Sequence, residues 1–201
     1  MPRIDVACLA FLLGALGASG GASCDAGVFR VDPGNTSARF SVPLGFVEQQ
    51  GRLGRTSGTI VLDAQHKVES IDLEIDMASV DTGWGLRDAF LRSDVMFDVG
   101  RYPRMHFHST RLDYDGARLA RVEGDVTLRD VRLPVRFEVL RLECGTRPDD
   151  GRETCGAEVT GRISRGAFGM DFAYPLIGDE VDLEFVVNAV RIRDVDPMRR
   201  P

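Results

Sequence analysis

The feature that most limits the fold of this chain is a pair of alternating runs set on either side of a helical one. Ile71, Leu73 and Ile75 alternate with Asp72, Glu74 and Asp76, and Met105 and Phe107 alternate with His106 and His108. A period of two puts apolar side chains on one face of an extended strand and polar ones on the other. Between these runs the period changes. Trp84, Arg87, Asp88, Leu91 and Val95 recur at the spacing of an amphipathic helix. Thr82 is placed to cap it, since its hydroxyl can accept from an unpaired amide of the first turn. Gly100 and Pro103 then stop the helix and restore extended chain. The pattern predicts an all-β protein carrying one short inserted helix.

The remaining segments agree. Val28 to Asp32 and Thr36 to Val42 read as a first strand region broken at Pro33-Gly34, followed by a polar, glycine-containing connection from Phe46 to Arg55. Strands are expected at Gly58 to Leu62, Val68 to Ser79, Arg104 to Asp113, Leu119 to Leu128, Leu133 to Leu142 and Cys155 to Arg165, with His66 in a turn. Turns fall at Tyr114-Asp115-Gly116 and at Arg129-Asp130. The doublet Val139-Leu140 shifts the phase of its strand and predicts a β-bulge. In the last strand Val181, Leu183, Phe185 and Val187 alternate with Asp182, Glu184 and Asn188. The expected architecture is one antiparallel β-barrel of about eight strands over residues 28–193, with a charged tail at 194–201. A hydrophobic content of 43% is enough for a core, and a net charge of -6 gives no reason to expect nucleic acid.

Met1 to Ser23 reads as a secretory signal, with Arg3 as its basic start, Val6 to Leu16 as its apolar centre and small residues from Gly17 to Ser23. That apolar centre is too short to span a bilayer, which takes about 20 residues. A periplasmic location follows. Cys8 leaves with the signal. Gly21-Ala22-Ser23-Cys24 weakly resembles a lipoprotein cleavage site, but Gly21 stands where leucine is usual, so plain cleavage near Ser23 is the default. Association with a membrane is expected only if Cys24 is acylated. Cys144 and Cys155 flank a Gly/Pro/Asp-rich hairpin loop, and in an oxidising compartment a disulfide would close it. Two free thiols or a metal pair are the alternatives, although no histidine or second cysteine pair lies close in sequence.

Asp81-Thr82-Gly83, Arg87-Asp88, Leu91-Arg92-Ser93, Phe97-Asp98 and Tyr102-Pro103, followed by Phe107 and Ser109, resemble the signature of the YceI family. Val31-Asp32-Pro33, Phe40-Ser41-Val42, the matches Gly124, Val126, Thr127, Pro134 and Val135, and Phe168-Gly169-Met170 extend the likeness along the chain. The family comprises lipocalin-like bacterial proteins, several of which bind polyisoprenoid or other long-chain lipids inside a barrel. Two departures stand out. Pro43-Leu44-Gly45 replaces a basic residue, a histidine and Leu-Gly, and Asp130-Val131-Arg132 replaces a Gly-x-Thr turn.

The resemblance implies a long-chain isoprenoid or quinone-like ligand lying lengthwise in the barrel. The apolar lining it implies comprises Phe40, Val42, Ile71, Leu73 and Ile75 before the helix. Phe90, Leu91 and Phe97 follow in and after the helix, and Met105, Phe107, Phe168, Met170 and Phe185 beyond it. Arg87 is a candidate head-group contact, and Arg87, Asp88 and Asp98 are expected to fix the helix over one barrel end. By themselves the residues favour a packed core, because the same side chains would fill a closed lumen. A homodimer is a further implication of the family.

Other chemistry finds little support. His106 and His108 share one strand face at metal-compatible spacing, but His66 is distant and no fourth ligand is defined, so the pair is read as solvent-facing. Ser37, Ser93 and Ser109 lack a nucleophile elbow, and Cys144 and Cys155 are too far apart for a Cys-x-x-Cys redox pair. The expectation is a carrier that is not an enzyme, with no metal and no cofactor beyond bound lipid. The alternative is a non-enzymatic stress-response or interaction module that uses Trp84 and Phe90 as contacts and partners a membrane b-type cytochrome. A hydrolase using a metal on His106 and His108 is a third reading.

Overall fold

Eleven strands and one helix follow one another through residues 27–63 and 65–192, the part of the chain that the computed structural model describes. They are β1 (Gly27–Val31), β2 (Ser37–Leu44), β3 (Val47–Leu53), β4 (Thr56–Leu62), β5 (Val68–Asp76) and β6 (Val80–Asp81). Helix α1 (Gly85–Arg92) comes next, followed by β7 (Arg104–Asp115), β8 (Arg118–Leu128), β9 (Val131–Thr146), β10 (Glu153–Ser164) and β11 (Glu180–Arg191). The expected signal, Cys8, Cys24 and the tail from Asp194 lie outside the described residues.

Eight of the strands close a ring of antiparallel neighbours in the order β1, β4, β5, β7, β8, β9, β10, β11 and back to β1. Closure leaves no unpaired edge around that ring. The first strand region bends at Pro33-Gly34, as its sequence predicts, and both halves pair with β11. Phe29 to Val31 face Arg191 to Ala189, while Ser37 to Ser41 face Val186 to Asp182. The bend is stitched by Thr36, whose hydroxyl donates to the Asn188 carbonyl and accepts from the Asn188 amide. Beyond the bend β2 leaves the ring and carries β3 and β6 outward as a flared shelf.

β3 is the main correction to the secondary structure. The segment from Phe46 to Arg55 is a strand paired along β2, not a connection. Its polar residues Glu48, Gln49, Gln50 and Arg52 hide the strand signal because the shelf leaves most of its surface in water, and only Leu53 is buried. The helix also differs. It starts at Gly85 with Trp84 at the cap position, so Thr82 is not the cap, and Val95 lies beyond its end and is exposed. The bulge expected at Val139-Leu140 is present. Val139 pairs with Val159 and Arg141 with Glu158, leaving Leu140 as the extra residue, turned to solvent while Val139 is buried.

Cys144 and Cys155 occupy directly opposed positions of β9 and β10 and are joined as a disulfide. That bond sits at the end of the barrel where the described chain begins and ends, beside the Ala189 to Arg191 stretch of β11. The interior here is solid, with Phe29, Leu62, Val68, Leu119, Val122, Val139, Cys155 and Ala189 forming one buried cluster. A second cluster, around Ile75, Met77, Val80, Met105, Leu128, Phe168 and Leu183, lies towards the shelf and α1.

A candidate ligand cavity at one end of the barrel

Between the two clusters the lumen narrows at three aromatic rings. Phe137 packs edge-on against Phe107 at 5.4 Å and against Phe185 at 5.7 Å. Two glycines make room for them. A Cβ at Gly124 would come within 2.5 Å of the Phe107 ring, and one at Gly161 within 2.3 Å of the Phe137 ring. A small apolar void of about 90 Å³ surrounds these rings. Above it the barrel is hollow. A cavity of about 480 Å³ opens between α1, the β2–β3 turn and the loop from 166 to 178. Met105, Ile163 and Leu183 border both spaces. The larger volume falls within the roughly 300–1,000 Å³ of ordinary small-molecule sites.

One wall is α1, which the sequence alone would not hold in place, since eight residues are too few for a stable isolated helix. Side chains dock it. Asp88, only 8% exposed, accepts from both the amide and the hydroxyl of Thr82. Arg87 donates to the Thr82 hydroxyl and carbonyl, each at 2.8 Å, and to the side-chain carbonyl of Gln49 on the shelf. Arg92 donates to the carbonyls of Ala78 and Val80. So docked, α1 turns Phe90 and Leu91 into the cavity.

The opposite wall is the loop after β10, and Arg165 shapes it. This side chain is 4% exposed and donates to the carbonyls of Met170 at 2.5 Å, Ile177 at 2.8 Å and Gly178 at 2.7 Å. Three carbonyl dipoles thus face a guanidinium that makes no ion pair among the described residues. Asp179 clamps the loop base, accepting from the Gly166 amide at 2.8 Å. Hydrogen bonds from the Ser164 hydroxyl and the Gly166 amide hold its carboxyl below the usual 3.8, and the nearby Arg165 charge adds to this. The loop returns to the shelf where Leu44 bridges to Ile177.

The charged groups on the cavity wall, Arg87 and Arg165, are therefore spent on Thr82, Gln49 and backbone carbonyls, and most of the remaining wall is apolar. Of the lining residues expected from sequence, Phe40, Val42, Phe90, Leu91, Phe97 and Met170 border the large cavity, and Met105 borders both spaces. Ile71, Leu73, Ile75, Phe107 and Phe185 surround the smaller void. Phe168 differs. It is 2% exposed and packs in the core cluster together with Met170, but unlike Met170 it is not among the residues that line the large cavity. Arg87 reaches the cavity, but its donors engage Thr82 and Gln49. Asp98 is buried and lies 3.6 Å from Arg101 instead of reaching α1. Sequence reading missed further wall residues. Val181 and Leu183 carried a usable signal, the alternation of β11, and Leu44 ends β2; Met77, Met96, Phe172 and Ile177 sit in turns and loops, where side-chain direction follows no period.

His106 and His108 lie on the outer barrel face. His108 pairs with Asp72 at 2.5 Å and His106 with Glu74 at 3.4 Å. No group of three metal-ligating side chains occurs among the described residues.

A family model for the YceI-like domain matches residues 29–189. The chain is 31% identical over 149 residues to Protein YceI of Escherichia coli O157:H7, covering 74% of this chain and 77% of that one. Among solved structures, the Campylobacter jejuni YceI protein superimposes with a TM-score of 0.63 at 24% identity, over 75% of this chain and 90% of that one. A polyisoprenoid binding domain from Saccharophagus degradans, implicated in plant cell wall breakdown, superimposes with a TM-score of 0.61 at 18% identity, over 82% and 98%. At these identities the two structures speak to the fold alone.

Proposed function

This chain belongs to the YceI-like family, and on that premise we propose that it is an exported, non-catalytic carrier for one long-chain apolar molecule, a polyisoprenoid or a quinone-like lipid. The observation that carries this reading is the cavity of about 480 Å³, walled by α1 and the Arg165 loop and lined almost wholly by apolar side chains. Burying a hydrocarbon chain there is favourable by about 25 cal/mol per Å² of apolar area taken from water. The name of the Saccharophagus degradans domain gives the same class of ligand for a protein of this fold. Export to the periplasm is supported by the secretory pattern of Met1 to Ser23 and by the Cys144–Cys155 disulfide, a bond that persists in oxidising compartments.

The test is extraction and add-back. Organic extraction of native protein is expected to release one class of isoprenoid lipid, and the stripped protein is expected to take up a polyprenyl alcohol to saturation. Protein that releases nothing and binds none of the added lipid would remove the proposal.

A further inference from the structure

The cavity mouth is ringed by three stretches of chain that carry no charge. Pro43 to Val47 forms the β2–β3 turn, Thr82 to Leu86 leads into α1, and Phe172 to Gly178 forms the outer part of the Arg165 loop. None of them contains Asp, Glu, Lys or Arg, in a chain where 28% of residues are charged. They border one cavity, through Leu44, through Trp84 and Leu86, and through Phe172 and Ile177. The Gly45 amide donates to the Leu176 carbonyl at 3.1 Å, and the ring of Phe90, in the helix that the second stretch enters, lies 4.8 Å from that of Phe172. Large apolar side chains stand out from all three. Phe46 is fully exposed, Leu86 is 73% exposed, and Trp84, Tyr174 and Leu176 are each more than half exposed.

We infer that this collar docks the barrel, mouth first, onto the surface of a lipid bilayer, so that an apolar ligand passes between membrane and cavity without crossing water. The inference rests on the carrier reading for its purpose and on the collar for its physics. Aromatic residues such as Trp84 and Tyr174 favour the membrane interface, and aliphatic side chains such as Leu86 and Leu176 gain by entering the acyl region. With no basic residue in the three stretches and a net charge of -6, the attraction is apolar and does not depend on anionic lipid. The geometry suits a bilayer better than a second copy of the chain. Phe46 projects fully from its turn, and a copy seated over the mouth would close the path into the cavity. Gly27 and Ile192, the first and last described residues, lie at the end of the barrel opposite the collar.

Trp84 is the sole tryptophan of the chain and reports on docking directly. The full protein is mixed with vesicles of phosphatidylcholine alone, with and without brominated acyl chains, and cosedimentation and Trp84 quenching are read. Docking predicts binding that is insensitive to salt, with quenching by the bromines. The double substitution F46D/L176D, at positions outside the cavity wall, is expected to weaken the partition by about a hundredfold. Uptake of a fluorescent farnesyl probe in vesicle-free buffer is expected to stay unchanged, which also shows that the variant folds. The inference is overturned if the protein ignores phosphatidylcholine vesicles, or binds only when phosphatidylglycerol is added and releases at high salt. It is equally overturned if F46D/L176D leaves vesicle binding intact but turns a dimer into a monomer by sedimentation velocity. Vesicle binding that persists while wild-type protein takes up no farnesyl probe would remove the carrier reading and leave the docking surface standing.

Discussion

The two ends of this barrel are built from the same ring of antiparallel strands, yet one end is solid and the other hollow. At the disulfide end Phe29, Leu62, Leu119 and Ala189 pack into one buried cluster, and the void bordering it is only about 90 Å³. At the other end inward side chains of similar size, among them Phe40, Val42 and Met105, stand around open space. Side-chain volume does not explain the contrast. The backbone does. Where β1 bends into β2 the wall flares, and α1 and the Arg165 loop close the gap with side chains that line the space instead of filling it. A barrel of about eight strands lies at the size where such a change decides between core and pocket.

The sharpest way to break this comparison is at the solid end. Phe29→Ala should lower unfolding free energy by about 3–5 kcal/mol in a urea titration, because a 2%-exposed ring leaves a void that its neighbours cannot fill. A loss below about 1 kcal/mol would show that this end is loosely packed. Removing the crosslink with Cys144→Ser and Cys155→Ser, which are separated by 11 residues, should cost roughly 2–3 kcal/mol on the chain-entropy argument. The same protein should keep its ligand affinity at temperatures where it remains folded, since the bond lies far from the cavity.

A matched pair of enlargements sharpens the contrast. Leu119→Phe, in the packed cluster, should destabilise by about 1–3 kcal/mol through overpacking. Val181→Phe, on the cavity wall, should shift stability by less than about 1.5 kcal/mol and lower ligand affinity tenfold or more, because the ring takes the ligand's space. Equal destabilisation by the two would deny that the ends differ.

Much of this was legible in the chain. The strict alternation of β5 and β11 marks half-buried strands, and the Val139-Leu140 doublet marks the bulge. The helix was visible by its period, and the lining around Phe107 followed from strand phase. What stayed hidden depends on contacts distant in sequence. β3 reads as a polar loop because it lies on a shelf. Phe168 and Met170, two residues apart and both buried, differ in that only Met170 lines the cavity. The loop wall exists because Arg165 gathers three carbonyls, which no period encodes.

Smaller effects concern that loop. Its clamp Asp179 has a carboxyl held below 3.8 by hydrogen bonds from Ser164 and Gly166. A lowered folded-state value means that the ionised form stabilises the protein above the ordinary carboxylate range, and that this contribution is lost as pH falls through the lowered value. Amide exchange in residues 166–178 should therefore rise from about pH 4 downward, ahead of β8 and β9, and Asp179→Asn should flatten the dependence. The smallest change is expected outside the barrel. Arg162→Gln removes exposed pairs with Asp182 and Glu180 and should cost at most about 1 kcal/mol, less at high salt.

The central claim, that the hollow end holds one apolar chain, is tested most directly by native mass spectrometry of protein purified without detergent, followed by denaturation and analysis of what is released. A single hydrophobic species is expected, bound once per chain in the wild type and absent from Val181→Phe. A bare wild-type chain that stays bare after incubation with polyprenyl alcohols would contradict it.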